Sequence, residues 1–281
     1  MLQNMKPSLI PAEQASHFYM HWMNASREKR TAKIQSLITQ PLNRLNLEAL
    51  LKREMDDGYP LPRAMRRLRN LLICAIIERD LSGKADLSEV VETMTRFAEF
   101  AIRTHLKTLS EELTAAHGTP IGAHSGTPQE MIILGMGKLG GGELNVSSDI
   151  DLIFVYPENG ETKTTEPGQR PLSNQEFFTR LGKRFIKALS EITEDGFTFR
   201  VDMALRPNGE SGPLVASTNM VEQYLIVQGR EWERYAWIKA RPITGNPDDI
   251  RALQEIVHPF IYRRYLDFSV IDAIRNLHQQ I

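Results

Sequence analysis

Two short apolar runs, Met131–Leu134 and Asp151–Tyr156, enclose Gly135-Met-Gly-Lys-Leu-Gly-Gly-Gly-Glu143 and then Leu-Asn-Val-Ser-Ser-Asp-Ile. That separation limits the fold more than any other feature of the chain. Each run has the length of a buried strand. A glycine-rich turn after a strand lets backbone N–H groups approach a phosphate. Three arrangements use such a turn. In a dinucleotide fold, Gly135-x-Gly137-x-x-Gly140 matches the fingerprint, and Glu158 stands about 20 residues on, where a ribose-binding acid belongs. That fold needs a parallel crossover, with a connecting helix of roughly ten residues or more. Between Gly140 and Asp149 there is only GGELNVSS, short and poor in helix formers. Two aspartates at the mouth of the second strand would also repel a pyrophosphate unless a metal lay between. A P-loop requires Gly-Lys-Ser/Thr four residues after its first glycine. Gly140-Gly141-Gly142 stands there instead, without the lysine and the hydroxyl.

The third arrangement is a nucleotidyltransferase core of the DNA-polymerase-β type. It takes a glycine turn after a strand, a short helix, and Asp-x-Asp entering a second strand. Asp149-Ile150-Asp151 supplies the pair. The i, i+2 spacing puts both carboxylates on one face of the strand. There they can share a hard cation such as Mg²⁺, which takes oxygen ligands. A third carboxylate should come from a neighbouring strand. Phe197–Leu205 alternates Phe197, Phe199, Val201 and Met203 to one face, which places Asp202 on the other. A lone Asp-x-Asp is usually a surface turn or a cap. The glycine turn, the pair and an aspartate inside an apolar strand, in this order, form a far stronger set.

The rest of the chain reads helical on both sides. Pro62 suits the first turn of a helix running to about Asp80. Asp86, with Glu89 three residues on, opens another, whose apolar positions Val90, Met94, Phe97, Ala101 and Leu106 recur at helical spacing. Gly118–Pro128 reads as a linker, and Pro157–Ser173 as a polar loop. Asn174 caps a helix to about Ile192, and helices resume from Thr218, the last being Arg264–Ile281. The predicted fold is therefore α+β: a mixed-sheet core over 126–215, a helical region over 1–125, and a helical segment over 216–281. Arg63, Arg66, Arg67 and Arg69 are read as a solvated, salt-bridged face rather than a surface for an acidic partner. Trp232, Tyr235 and Trp237 are read as core, and the charges of Arg230–Arg241 as an internal ion-pair network. Cys74 lies in an apolar run and reads as a small core residue. The seven histidines are scattered and none is assigned to a metal.

A formal net charge of −1 argues against a general nucleic-acid binder, and so against an RNA nucleotidyltransferase. One cysteine leaves no disulfide framework, which suits a reducing cytoplasm. The first residues have no secretory h-region, and no apolar run reaches a membrane span.

Leu134–Phe154, Arg200–Leu214 (RVDMALRPNGESGPL), Gly229–Arg241 (GREWERYAWIKAR) and Arg263–Ile274 (RRYLDFSVIDAI) resemble signature blocks of the bacterial glutamine synthetase adenylyltransferase family. The resemblance covers roughly 60–281. Members of that family carry two related nucleotidyltransferase domains joined by a helical region. This chain holds one signature, and its Asn145–Ser148 and Gly209–Pro213 resemble the N-terminal, adenylyl-removing copy. The resemblance implies phosphorolysis: phosphate attacks the AMP on an adenylylated tyrosine of glutamine synthetase, ADP leaves, and tyrosine is restored. It implies Mg²⁺ on Asp149, Asp151 and Asp202, and a PII signal protein as a regulatory partner. Phosphate and nucleotide (ADP or ATP) would be held by Gly137, Lys138, Gly140, Gly141, Gly142, Ser147, Ser148 and Arg206. For Lys138 a solvated side chain is an equal reading, and for Arg206 a salt bridge to Glu210 is the plain one. The wider superfamily often has Gly-Ser in its turn where this chain has Gly137-Lys138 or Gly140-Gly141. Two alternatives stay open: adenylylation of glutamine synthetase from ATP, and a regulatory module that binds nucleotide without chemistry.

Overall fold

A computed structural model of the chain describes residues 11–164 and 170–262. The predicted helix Arg264–Ile281 and the block Arg263–Ile274 lie outside these residues. By packing, the chain divides into two compact units that interleave along the sequence. One comprises Met1–Ala101, Gly142–Ser148 and Glu191–Thr198; the other comprises Ile102–Gly141, Asp149–Ser190 and Phe199–Ile281.

The first unit is built of helices α1 (Ala12–Ala15), α2 (His17–Asn24), α3 (Arg27–Leu37), α4 (Leu47–Asp56) and α5 (Leu61–Leu81), with the start of α6 (Leu87–His117). α5 carries Pro62 in its first turn, as predicted. Asp86 accepts the Glu89 N–H at 2.8 Å and so opens α6. The Glu89 side chain does not complete a capping box. It takes Arg79 Nε and Nη2 at 2.7 and 2.9 Å and the Leu42 N–H at 3.0 Å. Arg79 also donates to the carbonyls of Ile38 and Lys84. Cys74 is fully buried, and burial pushes its thiol up to about 12, so it is an inert core residue.

The arginine cluster of α5 is salt-bridged as predicted, but it is solvated only in part. Arg66 is buried. Arg63 binds Glu194 and Asp195, Arg66 lies 3.4 Å from Glu191, and Arg67 binds Glu54. Arg69 lies over the Phe197 ring. Arg63, Arg66 and Arg69 thus fasten the Glu191–Thr198 segment, Arg63 remaining partly exposed to water.

Burial alone raises the proton affinity of Glu89, but the hydrogen bonds from Arg79 and Leu42 and the Arg79 charge outweigh it, leaving its carboxyl below the usual range. A depressed carboxyl contributes stability that is present above its unfolded value of about 4.3 and is lost as pH falls through the folded value. Glu89→Gln is therefore expected to cost about 3 kcal/mol at neutral pH, because it strands a buried guanidinium. In urea melts the deficit should shrink below pH ~4. A deficit that stays constant with pH would assign it to packing alone.

The second unit is a mixed sheet under helices. Its strands are β1 (Thr119–Gly122), β2 (Ile132–Gly135), β3 (Ile150–Tyr156), β4 (Gly160–Lys163), β5 (Val201–Asp202), β6 (Val215–Ser217) and β7 (Arg241–Pro242). Its helices after α6 are α7 (Gly137–Gly140), α8 (Asn174–Ser190), α9 (Thr218–Val227), α10 (Glu231–Ile238) and α11 (Pro247–Ile261). The main sheet runs β5-β3-β2-β7, with β6 also on β3. β2 pairs antiparallel with β3 and with β7, while β5 and β6 pair parallel with β3. The antiparallel β2–β3 pair, joined through the four-residue α7, leaves no parallel crossover and excludes the dinucleotide fold. Glu158 instead accepts backbone N–H groups of His124 and Ser125.

β3 is buried on both faces. Phe154 and Tyr156 pack on Phe185 and Phe178 of α8, at ring separations of 5.6 and 5.3 Å. Gly182 lets that helix close on the sheet, since a Cβ there would sit 3.2 Å from the Phe154 ring. Ile153 and Val155 face the other way, into a core with Val221, Leu225, Trp237, Leu253 and Val257.

Three expectations change. The predicted strand Phe197–Leu205 is paired only at Val201–Asp202, because the Asp202 carboxylate accepts the Ala204 N–H at 2.7 Å and turns the chain. The predicted linker and polar loop contribute β1 and β4, an antiparallel ribbon tied to α8 through the Asn174 amide. Of the three aromatics expected in the core, Trp237 is buried but Trp232 is exposed.

Candidate active site

The carboxylates arise from two adjacent parallel strands. β3 and β5 are in register with Ile150 opposite Val201 and Asp151 opposite Asp202. Alternation then puts Asp149 and Arg200 on the same face, one pair further along. That face of β3 carries Ile153 and Val155 into the core and ends in Asp151 and Asp149. Arg200 Nε donates to Asp149 Oδ1. Asp202 is exposed, Asp151 half-buried.

Burial, then the charges of Asp202 and Asp149, push the Asp151 carboxyl up; Lys138 offsets a smaller part. A half-buried carboxylate of raised proton affinity, next to two more carboxylates that are hard oxygen donors, is an arrangement that a divalent cation would relieve. As arranged here, with Asp149 turned to Arg200, no group of three or more His, Cys, Asp or Glu side chains among the described residues is placed to hold an ion.

The glycine turn closes on this pair. Gly137 has φ +51°, and a Cβ on it would lie 3.0 Å from Asp151 Oδ2. Met136 N–H bonds the Asp151 carbonyl at 2.9 Å, which seats the turn against β3. Gly140 and Gly141 donate their N–H groups to the carbonyls of Met136 and Gly137, so they shape the turn. The Cβ of a residue at 140 would fall 1.9 Å from the Lys239 carbonyl oxygen. Arg241, opposite Gly135 in the sheet, donates to the Gly140 and Leu139 carbonyls at 3.0 Å each. Arg241 is therefore not only part of the ion-pair network in which the sequence placed it; it clamps the turn. Arg234 and Glu231 do form such a pair, at 2.6 Å.

Arg206 follows β5. Its Nη1 donates to the Met203 carbonyl at 2.8 Å, and its buried Nε has no hydrogen-bond partner. Gly142, Ser147 and Ser148 lie on Gly142–Ser148, which belongs to the helical unit. There Ser148 N–H bonds the Asn145 carbonyl at 3.2 Å.

Sequence reasoning missed Arg200 and Arg241. Arg200 had a signal: two residues before Asp202, it must share that aspartate's face. Arg241 had none, because its role depends on strand β7, only two residues long.

Gly137→Ala is expected to cost about 1–2 kcal/mol of stability from its left-handed φ. Activity should fall about 10²-fold, because the methyl presses on Asp151 and reacting groups tolerate little displacement. A variant that loses only stability and keeps its turnover would separate the turn from the chemistry.

The chain matches the family model GlnE, glutamate-ammonia ligase adenylyltransferase, over residues 12–255. It is similar to proteins named bifunctional glutamine synthetase adenylyltransferase/adenylyl-removing enzyme. In Ralstonia nicotianae the identity is 58%, covering 80% of this chain and 24% of the relative. In Aromatoleum aromaticum it is 50%, covering 94% and 27%. In Neisseria meningitidis serogroup B it is 52%, covering 82% and 25%. The chain thus spans about a quarter of the length of these relatives. Among the described residues no helix is long and apolar enough to cross a membrane.

Proposed function

Because the chain belongs to the glutamate-ammonia ligase adenylyltransferase family, we propose that its sheet carries a polymerase-β-type nucleotidyltransferase site, and that this site removes AMP from an adenylylated tyrosine of glutamine synthetase by phosphorolysis. The observation that carries the site is the pairing of Asp151 with Asp202 on parallel strands, with Gly137 against Asp151. The direction is supported by the resemblance of Asn145–Ser148 and Gly209–Pro213 to the adenylyl-removing copy.

Asp149, Asp151 and Asp202 would hold Mg²⁺, Asp149 exchanging the Arg200 guanidinium for the ion. When bound, the ion supplies the charge that lets two phosphates approach and stabilises an in-line displacement. The chain's own groups do the positioning. Gly137, lacking a side chain, leaves room for a phosphate beside Asp151, and Lys138 adds positive charge there. Arg206, just after β5, would turn its guanidinium to a phosphate oxygen. An oxygen of inorganic phosphate attacks the AMP phosphorus, the bond from that phosphorus to the tyrosine oxygen breaks, and the phenolate takes a proton from water. The products are ADP and free tyrosine. Inorganic phosphate is already anionic at neutral pH, so this direction needs no side-chain base. The PII protein is proposed as a regulator acting outside this site.

The test sets two substrates side by side with Mg²⁺ present: adenylylated glutamine synthetase with phosphate, and unmodified glutamine synthetase with ATP. Loss of AMP from the first, saturating with phosphate, supports the reading. Transfer of AMP to the second alone reverses the direction and leaves the nucleotidyltransferase site standing.

A further inference from the structure

The helical unit has a cavity of about 500 Å³ among α2, α3, α4 and α5 that the carboxylate site does not use. Four cations line it, Lys29, Arg30, Lys33 and Arg67, against two acids, Glu54 and Asp57. The pairing is uneven. Buried Glu54 takes Lys33 on one oxygen and Arg67 Nε, at 2.7 Å, on the other. Asp57 adds a contact to Lys33 at 3.4 Å. Both acids are thus consumed by two of the cations. Arg30 has no carboxylate at ion-pair distance among the described residues. Its Nη1 donates to the neutral Trp22 carbonyl, and its guanidinium lies 4.5 Å over the Trp22 ring. Lys29, one residue earlier on α3, is likewise without an acid. Ser26 at the N-cap of α3 also lines the cavity, and its hydroxyl makes no capping bond.

We propose that this cavity is a binding site for a compact oxyanion of the phosphate or carboxylate class, held by Arg30 and Lys29 at the start of α3. Three features converge on such a ligand. The half-buried Arg30 and the exposed Lys29 at the cavity's edge both lack a carboxylate partner among the described residues, the helix start is positive and uncapped, and the volume is that of a small-molecule site. Arg30 is disfavoured as a cation by burial and then by Arg67, with Asp195 opposing, so an anion beside it is stabilising. The Trp22 and Tyr59 rings are already covered by Arg30 and Arg67, at 4.5 and 4.0 Å. One face of each ring is thus taken by a guanidinium, and the uncompensated cations set the ligand class. The site is independent of the proposed transfer chemistry.

Calorimetric titration with inorganic phosphate and, separately, succinate tests this, in chelator and at constant ionic strength. Saturable binding of either is expected, and the one that binds assigns the class. Arg30→Gln should weaken it about tenfold or more, the size of one charge-assisted hydrogen bond. Lys29→Gln, at an exposed position that leaves the fold intact, should weaken it several-fold, and Asp151→Asn should leave it unchanged. The proposal is overturned if neither anion binds saturably, if both cation variants bind as wild type does, or if Asp151→Asn abolishes binding.

Discussion

Asp151→Asn is expected to lower the rate of AMP transfer by about 10³-fold or more while the protein stays folded. The size follows from losing one anionic ligand where several kcal/mol of transition-state charge stabilisation arises. The fold should survive because the side chain lies on the open end of β3, beyond the Ile153 and Val155 positions that enter the core. Stability in the absence of metal should rise. Burial and the charges of Asp202 and Asp149 push the Asp151 carboxyl above its unfolded value. Its ionised form is therefore destabilising at neutral pH, and the penalty fades as pH falls through the raised value. The amide removes it. The combination of lost turnover and an equal or higher melting temperature without metal distinguishes a charge-holding carboxylate from a packing residue. Wild-type turnover with Mg²⁺ present would remove Asp151 from the site.

The second large effect falls on stability. Gly140→Ala is expected to destabilise by about 3 kcal/mol or more, lowering the melting temperature by roughly 6 °C or more. The new Cβ would lie 1.9 Å from the Lys239 carbonyl oxygen and 2.5 Å from that of Gly135. Both are backbone atoms within one packed unit, so no side chain can swing aside. Gly126→Ala is the matching control, with φ +66° and open space around it. It should cost only about 1–2 kcal/mol, from its backbone conformation. Equal losses at the two positions would mean that the close approach at Gly140 relaxes.

These variants separate two jobs within one run of glycines. The sequence reading took Gly137–Gly142 as a phosphate cradle. The structure gives Gly137 the place against Asp151 and gives Gly140 a packing role under Lys239. Residue identity alone cannot divide those jobs, because it does not record which backbone lies opposite.

What was legible followed from period and spacing. The i, i+2 spacing put Asp149 and Asp151 on one face of their strand and the alternation set Asp202 apart from its apolar neighbours; the register of β3 with β5 pairs Asp151 with Asp202. The eight residues between Gly140 and Asp149 weakened the case for a crossover, and the antiparallel pairing of β2 with β3 excludes it. The helices α5, α6 and α8 were readable because caps and apolar periodicity agree over many turns. The β1–β4 ribbon was not: its strands are four residues each, with Gly and Pro in one, too short to establish a period. Nor was the Arg63–Arg69 cluster, whose partners at Glu191, Glu194 and Asp195 are more than a hundred positions away in the chain. Arg200 against Asp149 is the consequential omission, since that guanidinium occupies one of the proposed metal ligands.

The most direct measurement follows the phosphorus atom. Adenylylated glutamine synthetase is incubated with this chain, Mg²⁺ and ³²P-labelled inorganic phosphate, and the released nucleotides are separated. Phosphorolysis predicts that all released nucleotide is ADP, with label only in its β-phosphate, formed in step with unmodified tyrosine and not formed by the Asp151→Asn variant. Release of unlabelled AMP, at a rate independent of phosphate, would contradict it.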